Sequence, residues 1–251
     1  MSATPDWNAL VKAAPRVPLR GEVLRLVESQ EQVATNQIVS SLDRQAVLEE
    51  MLEATKPPRR AGTERLHYLL ATPFRYPPLR HGSRFGRRHE PSLFYGARSE
   101  RTVLAEAAFY RFVFWYGMAT PPSRKLDTQH TLFAARYLSP EGLQLQEPPF
   151  AQHAERLRHP ADYRATQALG AVLREAGIDL FEYTSARDTG GGLNLALYNP
   201  RPFTRNKPTR QDPWLCQLSA EHVRFLKPRD GTLYDFPLSP FLYQGRLPLP
   251  A

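Results

Sequence analysis

The sequence predicts an α+β domain over residues 61–251, a mixed sheet with helices on its flanks, behind a helical N-terminal extension over residues 1–60. Three observations carry this. Short apolar runs of strand length recur between turn signals, at SLFYGA, TLFAARYL, IDLFEYT and LNLALYN. Two longer segments, residues 103–115 and 160–176, have the length and composition of helices. With 24 prolines in 251 residues, few elements can run long, although a 41% hydrophobic content suffices for a core.

In chain order, Val23, Val27, Ala34 and Ile38 recur at roughly helical spacing. A second helix starts near Asp43, with Leu42 and Val47 as a hydrophobic staple and Val47, Leu48, Met51 and Leu52 as its apolar face. The run Lys56-Pro57-Pro58 ends it. RLHYLLAT then reads as a short strand leading into a loop rich in Pro and Arg, and residues 92–97 as a second strand. Residues 131–138 form a third, closed by a turn at Pro140-Glu141-Gly142. Pro160 suits the first position of the next helix and Gly177 its C-terminal cap. The strand IDLFEYT runs into Ser185, and Gly190 to Gly192 makes a tight turn before LNLALYN. Edge strands are expected at residues 214–218 and 222–226, with a Pro-rich tail from Asp235 wrapping the surface.

Composition narrows the function. One cysteine, Cys216, excludes intrachain disulfides and a thiolate-rich metal site. A net charge of +8 and a pI of about 9.8 favour an anionic partner: nucleic acid, a phosphorylated metabolite or an acidic protein. No zinc-finger spacing or RNP-type motif directs that charge to nucleic acid. The segment MSATPDWNALVK lacks a signal-peptide pattern and no stretch is long enough to span a bilayer, so a soluble cytoplasmic protein is expected. There is no GxxxxGK[ST], no GxGxxG in strand–helix context, no GxSxG and no HExxH.

The chemistry concentrates in TPFRYPPLRHGSRFGRRHEPSLFYGARSERTVLAEAAFYR. From residue 103 to 115 the chain is apolar apart from Glu106 and Arg111, as in a buried helix. A carboxylate in that setting needs a partner, because burying it alone costs several kcal/mol, roughly. Glu106 is therefore either an active-site carboxylate or half of an internal ion pair that orders the loop. Arginine forks bind phosphate, aromatic faces stack on nucleobases or nicotinamide, and a carboxylate stabilises an oxocarbenium-like ribose. Those parts together suit the glycosidic bond of NAD.

Arg75 in PFRYPP, Arg84 in GSRFG, Tyr95 in LFYG, Glu106 in TVLAEAAFYR and Ser185 in YTSARDTGGGLNLALYNP resemble, in order and spacing, the RES-domain family. The likeness spans about residues 65–203. It implies a bent mixed sheet resembling that of ADP-ribosyltransferases, wrapped round an NAD cleft. It also implies the toxin of a bacterial type II toxin–antitoxin pair that degrades NAD by phosphorolysis or hydrolysis, or transfers ADP-ribose to protein. The implied partner is an antitoxin with an Xre-like helix-turn-helix; NAD is the substrate, inorganic phosphate a candidate acceptor, and no metal is expected. Carried over by position, Arg75 and Arg84 contact the pyrophosphate or incoming phosphate, and Tyr95 lines the nicotinamide or ribose site. Glu106 orients the ribose or stabilises the oxocarbenium, and Ser185 bonds the nicotinamide amide or a ribose oxygen. Because many members carry a GRW-type motif where this chain reads FGRRHE, Arg87 or Arg88 competes with Arg84 for the second arginine position. The rivals are a basic nucleic-acid-binding or ribonuclease-like protein, and a non-catalytic scaffold that keeps only the partner.

Overall fold

A computed structural model describes residues 5–29 and 55–249, together with Val47, Glu50 and Met51. The other elements are arranged about one long strand, β3 (Leu126–Gln144). One edge of β3 pairs antiparallel with β1 (Val17–Glu28). The other edge pairs first with β6 (Arg210–Leu218), antiparallel, and at Leu143 and Gln144 with β4 (Leu180–Thr184), parallel. β4 pairs with β5 (Leu193–Leu197), β5 with β2 (Phe94–Ala97), and β2 returns to β1 at Leu24–Ala97. The order β1-β2-β5-β4-β3 thus closes into a ring, from which β6, β7 (His222–Lys227) and β8 (Thr232–Pro237) extend. The expected α+β class with a mixed sheet is what the chain adopts.

The α-helices whose bounds are described flank the sheet: α1 (Trp7–Ala13), α2 (Tyr68–Arg75), α3 (Glu100–Tyr116), α4 (Ala154–Leu157) and α5 (Arg164–Glu175). Trp7 and Val11 of α1 pack with Leu169 and Leu173 of α5 over Phe181 and Ala196. α3 lies on the outer strands, burying Phe109, Phe112 and Trp115 against Trp214, Phe225 and Phe236. α2 covers Phe94 and Phe133 with Leu70 and Phe74.

Several expectations are corrected. The N-terminal segment is helical at Trp7–Ala13, but Val23 and Val27 stand in β1. Residues four apart share a face of a helix and equally of a strand, so their spacing cannot separate the two. Ala34, Ile38 and the helix start near Asp43 lie outside the described residues, whereas Val47 and Met51 of that expected helix are helical and exposed. RLHYLLAT is not a strand. The His67 ring caps the Leu69 N–H at 3.3 Å, and Leu69, Leu70, Ala71 and Phe74 bury one face of α2.

Pro140-Glu141-Gly142 makes no turn, because β3 runs through it: the register shifts between Val17 and Leu19 of β1, and that irregularity accommodates a proline without an N–H. The helix expected from Pro160 begins at Arg164, whose N–H is capped by Asp162 at 2.9 Å, while Gly177 takes the left-handed φ of +71° expected after the helix. The C-terminal tail contributes β8, with Phe236 buried against the outer core.

Buried titratable groups set the pH range of the fold. Burial, reinforced by the Arg111 charge, lowers His130 from 6.5 to about 4. Burial also pushes Tyr95 and Tyr137 up from 10.0 to about 12. Between pH 4 and 6.5 the unfolded chain binds the extra histidine proton, so stability rises with pH there. Above pH 10 the unfolded chain ionises its tyrosines first, so stability falls toward pH 12. Thermal unfolding followed across pH should show a midpoint that climbs through the first window and declines through the second; a midpoint that is flat in both contradicts this.

Candidate active site

Ser99 starts α3, its hydroxyl accepting the Thr102 N–H at 3.1 Å. The helix is not buried all round, as its composition had implied: Tyr110 is 48% exposed and Phe114 52%. Both follow Glu106 at four-residue steps, so the half-buried Glu106 stands on the face that opens outward. Its Oε1 accepts from Ser185 Oγ at 2.6 Å and from Asn194 Nδ2 at 2.7 Å. Among the described residues no ion pair forms at Glu106, and Oε2 carries no hydrogen bond. Hydrogen bonding, the other way to satisfy the carboxylate, is the one the fold uses.

Ser185 is presented by the end of β4. Its Oγ accepts the N–H groups of Arg187 and Asp188, each at 3.0 Å, so its one proton goes to Glu106. Asp188 accepts from Thr102 Oγ1 at 2.8 Å and from the Gly190 N–H at 3.0 Å, tying this turn to α3 one helical turn before Glu106. Gly192 permits the approach, since a Cβ there would sit 2.0 Å from Thr102 Oγ1 and 2.5 Å from Asp188 Oδ2. The glycine run therefore forms a turn, as expected, and one that locates Ser185. Asn194 comes from β5; it escaped the sequence reading, where its one signal was a lone amide inside the apolar run LNLAL.

Two buried guanidinium groups converge on Tyr163. Arg84 lies over the Tyr163 ring at 4.5 Å and donates to the carbonyls of Leu157 (3.2 Å) and His159 (3.1 Å). Arg187 donates to Pro160 O at 2.6 Å and Tyr163 Oη at 3.3 Å, and stands 3.4 Å from the Phe109 ring centroid. Among the described residues neither is paired with a carboxylate, and burial lowers Arg187 from the ordinary arginine value. Arg187 was also missed, although it follows Ser185 by two positions. Arg87 and Arg88 are exposed.

Tyr95 pins the loop that carries Arg84. Its Oη lies 2.8 Å from Ser83 Oγ and accepts the Phe85 N–H at 3.0 Å. Arg75 ends α2, with Nε donating to Pro57 O. Arg75, Ser83, Tyr95 and Tyr110 line a cavity of about 830 Å³. Of the expected site residues, Glu106 and Ser185 touch, Arg75 and Tyr95 share the cavity, and Arg84 packs on Tyr163, off the cavity wall.

Fold and site define an α+β protein with an arginine-lined cleft that Tyr110 helps to line and, one helical turn before Tyr110 and outside the lining residues, a carboxylate held by two neutral donors. The RES-domain family model matches residues 57–219, and the chain belongs to that family. No curated protein matches the sequence. Among solved structures, the chain is similar to one titled as the crystal structure of the M. tuberculosis MbcT–MbcA toxin–antitoxin complex. The two share 12% identity over 87% of this chain and 95% of that chain, with a TM-score of 0.49.

Proposed function

We propose that this chain is the toxin of a bacterial type II toxin–antitoxin pair that breaks the nicotinamide–ribose bond of NAD and passes ADP-ribose to phosphate or water. Membership of the RES family supports the class. The observation that carries the chemistry is the state of Glu106: both donors bond Oε1, and among the described residues no cation neutralises it and no hydrogen bond occupies Oε2. An unneutralised carboxylate of fixed orientation stabilises positive charge that develops on the ribose as nicotinamide leaves. Arg75 is proposed to hold phosphate oxygens and Tyr95 to line the nicotinamide or ribose position, while Arg84, bonded to the Leu157 and His159 carbonyls, is proposed to order the loop whose Ser83 lines the cavity. Since the Ser185 proton already serves Glu106, Ser185 is proposed as a positioning residue rather than a direct nicotinamide contact. An antitoxin with an Xre-like helix-turn-helix is the proposed partner.

Free NAD followed over time with purified protein, with and without phosphate, tests the reading and names the acceptor; a blot for ADP-ribose detects transfer to protein instead. Absence of NAD loss and of transfer in every arm would refute it. Ser185→Ala removes one donor while Asn194 remains, so the rate is expected to fall roughly 10- to 100-fold, the worth of one hydrogen bond to a charged group. A folded Ser185→Ala protein with wild-type turnover contradicts the positioning role.

A further inference from the structure

Arg25 lies on β1, ahead of the matched segment 57–219. Strand alternation sets Arg25, Val27 and Ser29 on one face, and all three line the cavity that also holds Arg75 and Tyr95. Nη1 of Arg25 donates to the Tyr95 carbonyl at 2.6 Å, and the guanidinium lies 5.2 Å from the centroid of the Phe94 ring. Its Nε is buried without an acceptor, and among the described residues no carboxylate pairs with it. Lys56, Arg59 and Arg75 also line the walls, and among the described lining residues the one carboxylate is Glu28, which is bonded to Arg111 at 2.7 Å. Burial depresses Arg25 to about 10, so it still carries its charge at neutral pH.

A half-buried cation with no counter-ion among the described residues is a poor contributor to the fold, and a planar fork held by one hydrogen bond is preorganised to receive an oxyanion on its remaining donors. The two ends of Tyr95 join this cation to the site: its carbonyl grips Arg25 while its hydroxyl pins the Ser83–Phe85 loop. Taking this cleft as the NAD site, we infer that Arg25 is a further substrate-binding residue, supplied from outside the family-defining segment, that bonds phosphate oxygens in the cavity. Those oxygens belong to the pyrophosphate of the dinucleotide or to free phosphate.

Calorimetric titration of the full chain with ADP, adenosine and inorganic phosphate separates these sources. The wild-type protein is expected to bind ADP at least tenfold more tightly than adenosine, and Arg25→Gln to lose roughly 10- to 100-fold in affinity for the anion it holds. Loss for ADP assigns the pyrophosphate; loss for inorganic phosphate alone assigns the acceptor. Unchanged affinity for both anions in folded Arg25→Gln overturns the role. So does a wild-type protein that binds adenosine as well as ADP and does not bind phosphate, a comparison that requires no variant. Arg25-dependent ADP binding by a protein that consumes no NAD would retire the NAD-cleaving reading and leave the Arg25 assignment standing.

Discussion

Glu106→Gln is expected to lower NAD consumption by about 100- to 1,000-fold, the range for removing one preorganised electrostatic group from a transition state. The amide is a sharp probe because it changes so little else. A glutamine Oε1 still accepts from Ser185 and Asn194, and the NH2 group takes the place of Oε2, the oxygen with no hydrogen bond among the described residues. Packing and both hydrogen bonds survive; the negative charge and the acceptor at Oε2 do not. Glu106→Ala is the harsher change. It leaves the Ser185 proton and the Asn194 amide without their acceptor, at a cost of about 1–3 kcal/mol for each group that stays buried and unpaired. NAD loss and thermal unfolding measured together separate the two effects. Glutamine should show a near-native midpoint with little turnover, and alanine a lowered midpoint as well. Wild-type turnover by folded Glu106→Gln would end the oxocarbenium role.

Several residues of the candidate site were legible in the sequence because they belong to local elements. Tyr95, Glu106 and Ser185 each sit on or at the end of an element whose apolar pattern is unambiguous: β2, α3 and β4. What escaped depends on pairings between distant segments. β1 joins the sheet by pairing with a strand more than 100 residues later, as Glu28 with His130. Val23 and Val27 satisfy a helical period and a strand period alike, so local pattern could not settle their state. Pro140 reads as a turn until the register shift in the β1–β3 pairing, which leaves residues 140 and 141 of β3 opposite one residue of β1, is known. Asn194 reads as an imperfection in an apolar strand until α3 brings Glu106 within 2.7 Å of it. Arg25 drew no attention because the segment holding it read as helical. Once β1 is a strand, alternation puts its guanidinium beside Tyr95.

Gly170→Ala tests the packing that holds the arginine loop in place, and here helix propensity and close packing predict opposite signs. Within a helix such as α5, replacing Gly by Ala ordinarily stabilises by about 1 kcal/mol. At this position a Cβ would lie 2.0 Å from the Phe85 carbonyl oxygen and 2.7 Å from its carbon, both backbone atoms. Phe85 cannot easily retreat: its N–H is held by Tyr95 Oη at 3.0 Å, and its ring lies 4.8 Å from those of both Phe181 and Tyr183. Gly170 is fixed as well, its carbonyl accepting from Tyr198 Oη at 2.7 Å. Overpacking of this kind costs about 1–3 kcal/mol, which outweighs the propensity gain. The midpoint is therefore expected to fall, by about 2–4 °C per kcal/mol for a chain of this size. Because the displaced backbone adjoins Arg84, NAD turnover should fall further than the fraction unfolded accounts for. Gly177→Ala supplies the contrast: its φ of +71° imposes strain, but a Cβ there meets nothing within 4 Å, so it should lose about 1–2 kcal/mol with turnover per folded molecule unchanged. A Gly170→Ala protein more stable than wild type would mean that helix propensity governs this position and that the contact between α5 and the arginine loop is looser than the 2.0 Å approach requires.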